Sequence, residues 1–204
     1  APYEVTGNTV GKNILIAAGL FDKDVNKDAE IDALFESFEV RVVDLREQRL
    51  MSADEAASAG IDPTTFDQRK AAKDPAMSVV LSDEEDIASI SRRANYSVAY
   101  LLRRDDGALD RIVLPVHGYG LWSTMYGFIA LEGDGTTVSG ITFYEDGETP
   151  GLGGEINNPR WKGLWPGKRI YGDDGGVALT VIKGTVDPTN ADADYQVCLL
   201  YTSP

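Results

Sequence analysis

Strand-like runs follow one another between Tyr96 and Glu145: YSVAYLLRR, LDRIVLPVHG, LWSTMYGFIALE and TTVSGITFYE. Asp105-Asp106-Gly107 and Gly133-Asp134-Gly135 punctuate them. Glycine takes positive φ without steric cost, and aspartate bonds its own backbone a little further on, so these triplets read as hairpin turns. Strands joined by tight turns must lie antiparallel. In the last run Val138, Ile141 and Phe143 do not alternate strictly, and Gly140 is expected to mark a bulge. VALTVIKG, further on, reads as another strand.

Ahead of this β-rich half the pattern is mixed. NILIAAGLF is apolar all round and predicts a buried helix. KDAEIDALFESF sets Ile31, Leu34, Phe35 and Phe38 at helical spacing. EVRVVDL alternates and is β-branched, a strand signature. SADEAASAG and FDQRKAAK predict short helices among loops. The expected class is α+β, a twisted antiparallel sheet with helices packed on it. The chain divides into a helical or mixed region at 1–95 that packs on the sheet, a sheet-bearing region at 96–197, and a tail at 198–204.

The formal net charge of −14, from 33 acids and 19 bases, disfavours nucleic acid, whose phosphates need a basic footprint. It also disfavours anionic lipid surfaces. The acids are spread along the chain, so a solvated surface is a plainer reading than an acidic functional patch. A lone cysteine, Cys198, allows no intramolecular disulfide framework. No apolar run approaches the ~20 residues of a membrane span. Neither an initiator Met nor a signal segment opens the sequence, so we expect a soluble part of something longer.

Several chemistries fail on the residues. His117 is the sole histidine and has no Cys or carboxylate pattern beside it, so a zinc site is not expected. A hydrolase using His117 as base lacks a Gly-x-Ser-x-Gly elbow. The simpler reading of His117 is a strand-end residue before a Gly-rich turn. Gly118-Tyr119-Gly120 opens no helix, and Gly151-Leu152-Gly153-Gly154 lacks the Lys-Ser/Thr of a phosphate loop. The acid run Asp83–Asp86 has no EF-hand spacing and is expected to decorate a helix start.

Glu148-Thr149-Pro150-Gly151-Leu152-Gly153-Gly154 is different. Its glycines admit close approach of the backbone and positive φ, and its proline stiffens the turn. Leu152 between glycines offers an apolar surface suited to a flat ring, and nearby backbone donors can tune a redox cofactor. From the residues alone, a tight turn burying Leu152 and a ring-binding loop both remain open.

The stretches GLWSTMYGFIAL, GITFYEDGETPGLGGEINNPRWKGLWPGK and, less closely, NILIAAGL resemble the FMN-binding domain of the NqrC subunits of sodium-translocating NADH:quinone oxidoreductases. The related RnfG subunits of the Rnf complex share the Glu-Thr-Pro-Gly-Leu-Gly core, but the segment holding Trp161 and Trp165 favours the sodium pump. The resemblance implies an electron-transfer subunit of a membrane redox pump. It would sit on the periplasmic face of a bacterial inner membrane, anchored by an N-terminal helix and partnered by the other pump subunits. It implies FMN joined through its phosphate to a threonine of a Ser/Thr-Gly-Ala-Thr motif. By the same resemblance Glu148, Thr149, Leu152 and Gly153 face the flavin, with Gly118, Tyr119, Gly120 and Trp122 on the neighbouring strand entry. Many relatives carry a histidine before the position of Gly147, where this chain has Asp146.

The resemblance breaks after DADYQV. The sequence reads CLLYTSP there, no Ser/Thr-Gly-Ala-Thr occurs anywhere, and nothing resembling Gly-Ala precedes Thr202. The expectation is that residues 198–204 are non-native and that this chain lacks the FMN acceptor. The alternative is a flavinless extracytoplasmic interaction module.

Overall fold

The computed structural model describes residues 9–150 and 153–199. Helix α1 spans Thr9–Ala17 and α2 spans Ile31–Phe35, followed by strands β1 (Phe38–Asp44) and β2 (Arg49–Leu50). Short helices α3 (Ala53–Ser58) and α4 (Gln68–Lys73) lead to β3 (Ser78–Val80) and β4 (Arg92–Ala94). Strands β5 (Tyr96–Arg103), β6 (Leu109–Tyr119), β7 (Thr124–Glu132) and β8 (Val138–Glu145) come next. Helix α5 (Pro159–Lys162), β9 (Thr180–Lys183) and β10 (Gln196–Leu199) complete the described chain.

The main sheet is six-stranded in the order β2-β1-β5-β6-β7-β8, antiparallel throughout. The expected α+β class is what forms. The hairpin chemistry is also as expected. Gly107 (φ 82°) and Gly135 (φ 68°) take the left-handed conformation. Asp134 accepts bonds from the Thr136 and Thr137 amides and the Thr137 hydroxyl. Ser52 and Glu55 close a reciprocal capping box on α3, and Asp67 caps α4.

The sheet is covered on both faces. On one, α1 and α2 pack Ile14, Leu15 and Ile31 against Val98, Tyr100, Val113, Phe128 and Ala130. On the other, Trp161, Trp165 and Val197 cover Ile129, Leu131, Val138 and Ile141. Strand β7 is therefore buried on both sides, which is why its sequence reads as an almost unbroken apolar run. The bulge falls where Ala130 pairs with Gly140 and Leu131 with Val138, leaving Ser139 as the extra residue. Gly140 has a further reason to be glycine: a Cβ there would lie 2.4 Å from the carbonyl oxygen of Ala17, so only a bare backbone lets the end of α1 approach.

Strand β1 lies between β2 and β5, so the main sheet draws on the first 95 residues as well as the later ones. The acid run departs from expectation, because no helix begins at Asp83–Asp86. Glu85 instead accepts from the amide and hydroxyl of Ser82, and Asp86 from the amides of Ile90 and Ser91. Carboxylates that can bond nearby amides fold a turn as readily as they start a helix. Cys198 and Leu199 of the expected tail lie in β10, parallel to β9, and the remainder, Leu200–Pro204, lies outside the described residues.

Asp44 ends β1 as a buried carboxylate. Hydrogen bonds from the Arg46 guanidinium, helped by the amides of Arg46 and Glu47, outweigh its desolvation and hold its pKa at about 2 against an ordinary 3.8. Its stabilisation is therefore complete above the ordinary value and is lost as pH falls through 3.8 towards about 2. Asp44→Asn should melt below the parent protein at about pH 6, well above that window. The gap should close on acidification across the window, as read by thermal unfolding at stepped pH. A gap of constant size down to about pH 2 would mean the carboxylate's charge contributes nothing.

Candidate flavin-facing site

The site begins where β6 gives way to β7. Gly120 N–H donates to the Ser123 carbonyl (2.7 Å) and closes a tight connection. The Tyr119 hydroxyl donates to the Trp122 carbonyl at 3.3 Å. Tyr119, Leu121 and Trp122 project outward from this rigid tip and remain mostly exposed. Gly118 rests against Ala88, whose carbonyl accepts from Tyr119 N–H.

The glycine loop meets this connection through a single buried carboxylate. Glu148, 8% exposed, accepts from the Trp122 amide at 3.0 Å through Oε1. A Cβ on Gly120 would lie 2.4 Å from that Oε1, and one on Gly153 would lie 2.2 Å from Oε2. Gly147 N–H donates to Ser123 Oγ at 2.7 Å. Asp146 braces the loop's entry, accepting from Glu148 N–H at 3.2 Å and from the Asn157 side-chain amide at 2.8 Å. Gly154 N–H closes back on the Thr149 carbonyl, and Thr149 itself is exposed.

The structure thus brings Gly118, Tyr119, Gly120, Trp122, Glu148, Thr149 and Gly153 to one end of the sheet. Leu152 lies outside the described residues. Gly153 is glycine for a reason the sequence does not disclose. A Cβ there would run into the Glu148 carboxylate, and that side chain is what Gly153 accommodates. Ser123 and Asn157 join the site without any signal in the sequence, since short polar residues are common in any loop. Trp161 and Trp165 are core residues, 5% and 8% exposed, meeting edge-on at 5.3 Å. Trp161 Nε1 donates to the Cys198 carbonyl at 3.0 Å, so the end of β10 is held beside α5.

A separate groove of about 590 Å³ opens on the α1 side of the sheet, lined by Arg69, His117, Tyr126, Phe128 and Tyr144 among others. None of residues 118–123 or 146–150 lines it. Arg69 stacks over Tyr126 at 3.8 Å and makes a two-pronged bond to Glu145. His117 stacks on Tyr126, with ring centroids 5.6 Å apart. Burial, seconded by Arg69, pushes the His117 pKa below its ordinary value. Because the chain has one histidine, its NMR titration is unambiguous. Arg69→Met should move the His117 midpoint upward, since it removes a cation and leaves Glu145 in place. An unmoved midpoint would leave burial as the whole cause. Among the described residues, no group of three or more His, Cys, Asp and Glu could hold a metal ion.

The family model of the FMN-binding domain matches residues 120–197. The chain is 50% identical over 187 residues to the NqrC component of the Na(+)-translocating NADH-quinone reductase of Pseudomonas aeruginosa, covering 91% of this chain and 68% of that one. To the protein of the same description from Yersinia pestis it is 43% identical, covering 85% of this chain and 62% of that one. Its fold is similar to the crystal structure of NqrC from Shewanella oneidensis, with a TM-score of 0.78 and 32% identity, over 94% of this chain and 82% of that one. The crystal structure of the same reductase component from Parabacteroides distasonis, at 22% identity and a TM-score of 0.61, shares the fold over 95% of this chain and 78% of that one.

Proposed function

Because the chain belongs to the NqrC family of Na(+)-translocating NADH-quinone reductase subunits, we propose that it holds FMN against the Glu148–Gly153 loop. There it carries electrons between other subunits of a sodium-translocating membrane complex. The observation that carries this reading is the Glu148 carboxylate, which locks the glycine loop to the β6–β7 connection inside the span matched by the FMN-binding domain. Most of the aromatic groove's other lining, including Phe66, Gln68, Lys70, Ile90, Arg92 and Tyr100, falls outside that span. This favours the loop over the groove.

The residues suit a neutral ring. Thr149, Tyr119 and Trp122 supply a hydroxyl and aromatic surface, and Glu148 fixes the backbone that would face a ring. FMN supplies one- and two-electron transfer when bound. The phosphate is another matter. Residues 118–123 and 146–154 include no Lys or Arg and do include Asp146 and Glu148. A free phosphate dianion would meet like charge from these segments, and Lys162, the cation that feels Asp146, is half-buried and already shares that carboxylate's field. That chemistry favours a covalent phosphoester, and we place its threonine outside these 204 residues, which contain no Ser/Thr-Gly-Ala-Thr run. A tether raises the effective concentration of the ring to roughly the mM range, so a shallow site with few contacts suffices. The Trp161–Cys198 bond holds the end of β10 beside α5.

The proposed location is the extracytoplasmic face of a bacterial inner membrane, with a membrane helix outside the described residues. No helix among those described is long and apolar enough to cross a membrane.

Expression with a flavin transferase tests the reading. The 204-residue chain should give no fluorescent band in a denaturing gel. A chain continued through the family's threonine should give one. Fluorescence mapped to Thr202 would overturn the placement of the link, and a dark band from the longer chain would overturn the flavin reading itself.

A further inference from the structure

We infer that the tip of the β6–β7 connection, together with Ile87, is a docking surface for a protein partner that presents an apolar socket ringed by Lys and Arg. The inference rests on the flavin reading above and names the surface through which that site meets its redox partner. Ile87 is 94% exposed, Leu121 67%, Trp122 63% and Tyr119 54%. The Ala88 carbonyl accepts from Tyr119 N–H, and Ala88 packs on Gly118, which sets Ile87 beside the tip. Clustered exposed apolar side chains mark interaction sites, and Trp and Tyr are the usual anchors of such sites.

The tip is rigid before anything docks. The Gly120–Ser123 bond, the Tyr119–Trp122 bond and the Glu148 clamp hold its backbone. Little ordering entropy is then lost on association. The Glu148 clamp also joins this tip directly to the proposed flavin loop. A partner seated on Leu121 and Ile87 lies next to Trp122, whose amide the Glu148 clamp holds, which is where an electron donor or acceptor has to be.

Charge selects the occupant. Asp83, Glu84, Glu85 and Asp86 immediately precede Ile87, and Asp146 sits on the loop side. The tip itself, residues 117–123, carries no Asp, Glu, Lys or Arg, while Arg93 lies near Glu85 and Lys162 near Asp146. A second copy would bring an identical acid collar and its own net charge of −14. An anionic lipid surface would repel the collar as well. A basic-rimmed protein socket satisfies both the apolar centre and the acidic rim.

The test uses the full-length subunit in its assembled complex, with Ile87→Asp and Leu121→Asp. Neither residue belongs to the proposed flavin site, and both are exposed enough to accept a charge without unfolding the domain. Co-purification with the other subunits should weaken, and flavin reduction by NADH in the assembled enzyme should slow by at least about tenfold, the usual loss for an interface anchor. FMN content and absorption spectrum should not change. Val177→Asp, at a position 75% exposed on the β9 side, should behave like the parent. A photo-crosslinker at Leu121 should label another subunit at an apolar segment bordered by Lys or Arg. Normal assembly and turnover of both variants with FMN in place would overturn the inference and leave the flavin reading intact. So would crosslinks only to lipid or to a second copy. A parent subunit without FMN would instead sink the flavin reading.

Discussion

Trp161→Ala will lower the stability of the chain by about 3–5 kcal/mol, the range for removing a buried tryptophan. The ring is 5% exposed and packs edge-on against Trp165 and tilted against Phe143. It also roofs the face of the sheet built from Ile129, Leu131, Val138 and Ile141. Its loss leaves a cavity that backbone held on a six-stranded sheet can only partly collapse. A second effect adds to the cavity. The indole Nε1 is the donor that meets the Cys198 carbonyl, and among the described residues β10 pairs only with β9 in a separate two-stranded sheet. Trp161→Phe keeps most of the packing and loses that donor, so it should cost about 1 kcal/mol plus the smaller volume change. Urea unfolding gives both values. Hydrogen exchange should report faster opening of Gln196–Leu199 in both variants. A Trp161→Ala protein within about 1 kcal/mol of the parent would mean that the tryptophan cluster does not hold this face.

The second large effect concerns Glu148 and Gly153 together. Valine at 153 cannot be added to the native loop, because its Cβ would lie 2.2 Å from the Glu148 carboxylate and 2.8 Å from the Glu148 Cβ. The carboxylate must leave, and the Trp122 amide then loses its acceptor. Glu148→Ala removes the same acceptor directly. Each change should cost about 1–3 kcal/mol, the penalty of stranding a buried polar group. Each should also shift the absorption and reduction potential of the flavin in a flavinylated full-length subunit. The two are not independent. In the Glu148→Ala background most of the obstruction to valine is gone, and only the contact with the residue-148 Cβ remains. The double variant should therefore be less destabilised than the sum of the singles, by about 1–2 kcal/mol. Glu148→Gln keeps an acceptor oxygen and should retain most of the stability. Strict additivity in the cycle, with an unaltered flavin spectrum in every variant, would reduce the loop to an ordinary structural turn.

These residues also mark the limit of what the linear chain discloses. The glycine loop is legible as a loop, and Glu148 within it as a residue worth naming. The reason for Gly153 is not. Positive φ is the ordinary explanation for a glycine in a turn, and it gives no hint of the Glu148 side chain that folds back onto this position. Trp161 and Trp165 draw attention as aromatic neighbours of a candidate ring site, and their indoles turn the other way, into the core. The acid run at Asp83–Asp86 misleads for a related reason. Carboxylates favour helix starts and turns alike, and the following segment, held on Gly118 through Ala88, forms no helix.

Local chemistry belongs to the order of residues. Asp134 and the residues up to Thr137, or Ser52 and Glu55, lie within three positions of each other, so their bonds follow from that order. The period of the apolar residues sets helices and strands for the same reason, since it is a property of neighbours. Family membership is legible too, because the glycine loop and the tryptophan segment carry it as a string. Which distant pieces meet is a matter of packing. Folding inserts β1 between β2 and β5, joins Arg69 to Glu145 across 76 positions, and brings Glu148 to the Trp122 amide across 26. Such pairings cost loop-closure entropy and leave no periodic trace in the chain. They form because burying both faces of one sheet brings these distant groups within reach of one another.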